Sequence, residues 1–138
     1  MNQRNIDNLI PITVNYLSKT ENAVVKDGNV IEKEYSSYLS SFGATIRQSG
    51  MMKALEAYGR EDVGAKRFVI EDLVKQVMIK GNLIDEKYNK NDYKLIDIYF
   101  EEINDKDELT RIEFEDCILE AIIACKLALQ LFHIEKKI

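Results

Sequence analysis

A chain of 138 residues that is 46% hydrophobic and 31% charged can bury one core and lacks the composition of a disordered chain. One proline and six glycines are too few turn-formers for an all-β domain, so helices joined by few loops are expected. The formal net charge of −5 argues against a uniformly basic polyanion binder, and the lack of an apolar run of about 18 residues excludes a membrane-spanning helix.

The polar start MNQRNIDN has no apolar signal-peptide core, so a cytoplasmic location is expected. A first helix is predicted over about residues 4–19, where Ile6, Leu9, Ile10, Thr13, Val14 and Leu17 recur at helical spacing. Pro11 fits its first turn if Asn8 caps the helix; otherwise it kinks the helix. Lys26-Asp27-Gly28-Asn29 is a turn signal. A second helix is expected from near Val30, with Ile31, Tyr35, Tyr38, Phe42 and Ile46 on one side and Leu39 at its edge. Its other side, with Lys33, Ser36, Ser37, Ser40, Ala44 and Arg47, is small and polar. Gly43 is a candidate bend.

Ser49-Gly50 interrupts the pattern, and a third helix resumes over Met51–Tyr58. Gly59 and Gly64 bracket a polar loop. A fourth helix is predicted over about Lys66–Lys80, with Val69 or Ile70, Leu73, Val74, Val77 and Met78 as its stripe and Gly81-Asn82 as its stop. Lys87–Asn91 is a polar loop. A fifth helix is predicted over about Asn91–Ile103, carrying Leu95, Ile96, Tyr99 and Ile103. After a charged turn over Asn104–Glu108, Thr110 and Glu113 form a capping box for a last helix reaching about Phe132. That helix is apolar on most sides from Ile118 onward and is expected to be the central one. The fold expected is all-α, a single compact bundle of about five to six helices spanning 1–138.

Chemistry is sparse. Cys117 and Cys125, about 12 Å apart along one helix, are too distant to pair with each other and read as buried free thiols. His133 is the only histidine and reads as a surface or capping residue, so no metal set, triad or cofactor is expected. The glycines match no phosphate-binding loop. Carboxylates at helical spacing, Glu113, Asp116 and Glu120 or Asp97, Glu101 and Asp105, read as solvated faces. Charge is uneven: residues 1–81 hold 11 Lys/Arg and 10 Asp/Glu, whereas 82–138 hold 8 and 14. A polyanion site therefore belongs in the first part. There Lys33, Arg47, Lys53, Arg60, Lys66 and Arg67 make a phosphate-contacting stripe if they share one side.

The stretch Tyr35–Tyr58 resembles the small α-helical subunit of the type III-B CRISPR effector, the Cmr complex. The matching residues are Tyr35, Phe42, Ile46, Arg47, Gln48, Ser49, Gly50, Met51, Ala54, Leu55 and Tyr58, and Ala121–Ala128 resembles the family's last helix. The family's usual proline near Gly43 or Ala44 and its closing-helix tryptophan are absent here. What the resemblance implies is a non-catalytic subunit that stacks with copies of itself beside the backbone and large subunits of the effector. Together these bind guide RNA and target RNA in antiviral defence, with sequence read by base pairing. The residues expected to meet RNA are Lys33, Arg47, Gln48, Lys53, Arg60, Lys66 and Arg67. The competing readings are a helical adaptor that binds protein only and the small subunit of the related type III-A effector.

Overall fold

The computed structural model describes residues 1–19, 22–26, 30–60, 65–90 and 93–135. The first helix, α1 (Gln3–Lys19), buries Ile6, Leu9, Thr13 and Leu17 along one stripe. It starts well before Pro11, so Asn8 does not cap it and Pro11 lies in its interior on the exposed side. The ring costs one backbone hydrogen bond there. Thr13 turns its hydroxyl back to the Leu9 carbonyl at 2.7 Å, which lets this polar side chain be fully buried.

The second helix does not begin at Val30. Strands β1 (Val25–Lys26) and β2 (Val30–Glu32) pair antiparallel, with Val25 opposite Ile31. Most of the predicted turn between them, residues 27–29, lies outside the described residues. The helix α2 (Lys33–Ser49) follows directly on β2. It buries Tyr35, Leu39, Phe42, Gly43 and Ile46, while Tyr38 is only half-buried. The β-branched pair Val30-Ile31 suits a strand as well as a helix start, and a sheet partner from the far end of the chain decides between them.

Gly50 alone separates α2 from α3 (Met51–Tyr58). Its φ of 93° and ψ of 156° lie in a region reserved for glycine. The next helix, α4 (Ala65–Lys80), is buried on more than one stripe: Ile70, Leu73, Val74, Val77, Met78 and Ile79 are joined by Glu71 and Lys75. It stops as expected at Gly81-Asn82, but Asn82 rather than Gly81 takes the positive φ, 59°. The Leu83 amide reaches the Met78 carbonyl at 2.8 Å and the Asn82 amide reaches Ile79 at 3.0 Å, a Schellman closure.

A 3-10 turn, Glu86–Tyr88, capped by the Asp85 carboxylate, runs into the start of the predicted polar loop. Helix α5 starts at Leu95 rather than near Asn91. It runs over Leu95–Ile98 and continues as a π-helical turn, Tyr99–Ile103, closed by the Asn104 amide on the Tyr99 carbonyl at 2.8 Å. The last helix, α6 (Glu108–Leu129), is capped by Asp107, whose carboxylate accepts from the Thr110 amide at 2.8 Å; Thr110 itself sits inside the first turn. It packs against α1, α2 and α4 and is the central helix, with Ile118, Ala121, Ala124, Cys125 and Ala128 fully buried.

Strand β3 (His133–Glu135) then pairs parallel with β2, placing His133 beside Val30. The fold is thus all-α as expected, with six helices among the described residues and a small strand cluster of order β1-β2-β3 that the sequence pattern did not predict. No helix among the described residues is long and apolar enough to cross a membrane.

Candidate nucleic-acid interface

The surface expected to meet RNA is built on the α2–α3 hairpin. Helix α3 folds back along α2 because Gly50 reverses the chain and because two aromatic rings meet across the pair. Phe42 and Tyr58 stack with centroids 4.4 Å apart at 14°. The Tyr58 hydroxyl donates to the Tyr38 carbonyl at 3.4 Å. At the other end of α2, the Tyr35 hydroxyl donates to the Ala23 carbonyl at 3.2 Å. These rings hold the hairpin from beneath and leave its outer side to small and polar residues. Lys33, Ser37, Ser40, Ser41, Ala44, Arg47 and Gln48 are exposed on α2, and Lys53 is exposed on α3.

The predicted residues fall into groups. Arg47 and Gln48 end α2 and Lys53 lies in the first turn of α3, so these three flank the Gly50 reversal. Lys33 opens α2, about 21 Å away along the axis at 1.5 Å per residue. Arg67 leans over the Tyr58 ring, with its guanidinium carbon 5.6 Å from the centroid, which brings the start of α4 to the end of α3. Arg60, just past Gly59, is exposed.

Lys66 has a different setting. Its ammonium is ion-paired with Glu32, lies 3.8 Å from Glu34 and stands 5.7 Å from the centre of the Tyr35 ring. The Glu32 hydrogen bond, helped by both carboxylates, raises its pKa. Lys66 therefore fastens α4 to the β2–α2 junction, and its charge is offset locally. Among the described residues, no ion pair engages Lys33, Arg47, Lys53 or Arg67.

Two buried charges escaped the sequence reading. Glu71 and Lys75, one turn apart on α4, are each 1% exposed. Glu71 accepts from the Leu95 amide at 2.6 Å, capping α5 from below. Lys75 donates to the carbonyls of Lys90 (3.0 Å) and Tyr93 (2.5 Å) and lies 3.9 Å from Asp72. Burial lifts the Glu71 pKa to about 7 against the lowering effect of the Leu95 amide. The pair clamps the segment before α5 onto α4. Its signal in the sequence was an i, i+4 charge pair interrupting an apolar stripe.

Glu120, expected on a solvated face, is instead buried, accepting from the Asn2 amide (3.2 Å) and the Asn5 side chain (3.1 Å) at the start of α1. Cys125 is buried and Cys117 half-buried, both free, and burial raises both thiol pKa values. Among the described residues no three His, Cys, Asp or Glu side chains converge to hold a metal ion. No family model, curated protein or solved structure matches the chain.

Proposed function

We propose that this chain is a non-catalytic, RNA-binding small subunit of a type III-B CRISPR effector, working in the cytoplasm. The observation that carries the reading is the α2–α3 hairpin. Its sequence over Tyr35–Tyr58 resembles the Cmr small subunit, Lys33, Arg47, Gln48 and Lys53 are exposed on it, and Arg67 stands over the Tyr58 ring. The rings of Tyr35, Phe42 and Tyr58 face inward as packing, so the outer surface offers cations and small side chains but few stacking platforms. Such a surface suits contacts to phosphates rather than to bases. In an RNA-guided assembly that is sufficient, because base pairing reads the sequence. The guide and target RNA, the backbone and large subunits and further copies of the chain are the partners this reading requires.

The test is RNA binding by the assembled complex, with Arg47→Glu and Lys53→Glu combined in this chain. Affinity should fall, and the slope of log affinity against log salt should shrink by about 0.7 for each lost phosphate contact on a single strand. Both side chains are exposed, so the thermal midpoint of the isolated chain should hold. Unchanged affinity and slope in a folded variant would sink the assignment of these two residues. Failure of the wild-type chain to co-purify with guide RNA and the other subunits would leave the adaptor reading in its place.

A further inference from the structure

The second part of the chain carries a shallow, solvent-open depression of about 530 Å³, lined by Tyr93, Asp97, Phe100 and Glu101. It belongs to the α5–π segment and has no part in the RNA reading. Asp97 and Glu101 are one turn apart, and Phe100 lies between them with half of its surface in water. A phenyl ring left this exposed adds little to the core, since its neighbour Tyr99 already fills that role at 6% exposure. The Tyr93 hydroxyl donates to Glu101, which fixes the second ring against the carboxylate. That hydrogen bond is the main cause of the raised Tyr93 pKa. The Asp97 carboxylate accepts from the Lys94 amide at 2.9 Å, which orients it at the start of α5. Each carboxylate retains a second oxygen.

We propose that Tyr93, Asp97, Phe100 and Glu101 form a receptor for an arginine side chain presented by a polypeptide partner. The half-exposed Phe100 ring and the Tyr93 ring line the site with aromatic surface suited to a planar cation, and the two carboxylates supply oxygens for the forked donors of a guanidinium. Two of the chain's own nearby cations are engaged elsewhere. Lys87 pairs with Glu102 at 3.1 Å, and Lys94 stands over Phe68, 5.7 Å from its centroid. Among the described residues, neither Asp97 nor Glu101 is in an ion pair. A metal ion is a poor occupant, because no third ligand converges with the two carboxylates among the described residues. The field of the surrounding sequence points the same way: residues 82–138 hold 14 Asp/Glu against 8 Lys/Arg, which attracts a basic polypeptide and repels phosphate.

The test is an NMR titration of the full chain, labelled with nitrogen-15, using the blocked tripeptide acetyl-Gly-Arg-Gly-amide. A second tripeptide carries citrulline, the neutral near-isostere, in place of arginine. The arginine peptide should shift the amides of Tyr93 to Glu101, and the citrulline peptide should not. Glu101→Gln, which keeps an acceptor for Tyr93, should weaken binding about threefold, the scale of an exposed charged contact. Phe100→Ala should weaken it by a similar or larger factor. Both residues are exposed, so each variant should keep the wild-type melting midpoint, and either one alone suffices for the comparison. Equal binding of the two peptides, shifts confined to other acidic surfaces such as Glu113 and Asp116, or displacement of the peptide by single-stranded RNA would each overturn the proposal.

Discussion

Glu71 offers the sharpest check on the energetics of this fold, because a carboxylate at 1% exposure capping α5 is stable only if burial and hydrogen bonding balance. Its pKa rises from the ordinary 4.5 to about 7, so the folded chain holds that proton more tightly than the unfolded chain does. The protonated form is therefore the stabilising one. Stability from this site is complete below pH 4.5, declines as pH rises toward 7, and is lost above 7. Each tenfold change in proton affinity is worth about 1.4 kcal/mol, so the full span amounts to about 3 kcal/mol.

Glu71→Gln retains a carbonyl oxygen for the Leu95 amide and carries no charge at any pH. Urea denaturation of both proteins at pH 5, 6, 7 and 8 reports mainly on this group, since titrating residues that do not interact with it cancel in the difference. The variant should stand nearest the wild type at pH 5, and its relative stability should rise by about 2–3 kcal/mol between pH 5 and pH 8. A variant that is less stable than the wild type by a constant amount from pH 6 to 8 would refute the reasoning. That result would mean that Lys75 keeps Glu71 ionised in a buried pair whose disruption costs more than the desolvation it relieves.

Two glycines should respond in opposite directions to the same substitution. Gly50→Ala meets no atom within 4 Å, yet its φ of 93° is strained for any side chain, so a loss of about 1–3 kcal/mol is expected in denaturation. Gly43→Ala places its new methyl 3.7 Å from Ile122, an ordinary contact in a helix interior, and should gain about 0.4–1 kcal/mol. Asp107→Ala should lower the thermal midpoint by removing the cap of α6. The Thr110 amide holds the Asp107 pKa below its ordinary value, so the wild-type advantage should be present near neutral pH and fade as acid protonates the cap.

Much of the bundle was legible because burial follows helical period. The central place of α6 is written in its run of apolar residues from Ile118, and the single-residue break at Gly50 in the apolar side chains on both sides of it. What pattern could not show depends on partners far along the chain. Val30-Ile31 became strand rather than helix because His133 and Ile134 arrive beside them, and His133 carried no local sign of that role. Thr110 and Glu113 matched a capping box, but Asp107 three residues upstream competed for the same amide and won. For the candidate interface, helical spacing placed Lys33 and Arg47 on the side of α2 away from the apolar stripe, and both are exposed, as is Lys53. It could not distinguish Lys66, because an ion pair with Glu32 across two elements is invisible to spacing along one.

The pairing of β3 with β2 also sets an order of events in folding. Val30 and His133 are 103 positions apart, so the two strands cannot meet until nearly the whole length between them has left the ribosome. Closing so long a loop is entropically costly for strands of three residues on their own. Docking of α6 against α1, α2 and α4 does most of that closing in advance, leaving the strand pair to zip up last. The β2–β3 pair is thus a late addition to a segment that β1 and the Lys66–Glu32 ion pair also hold.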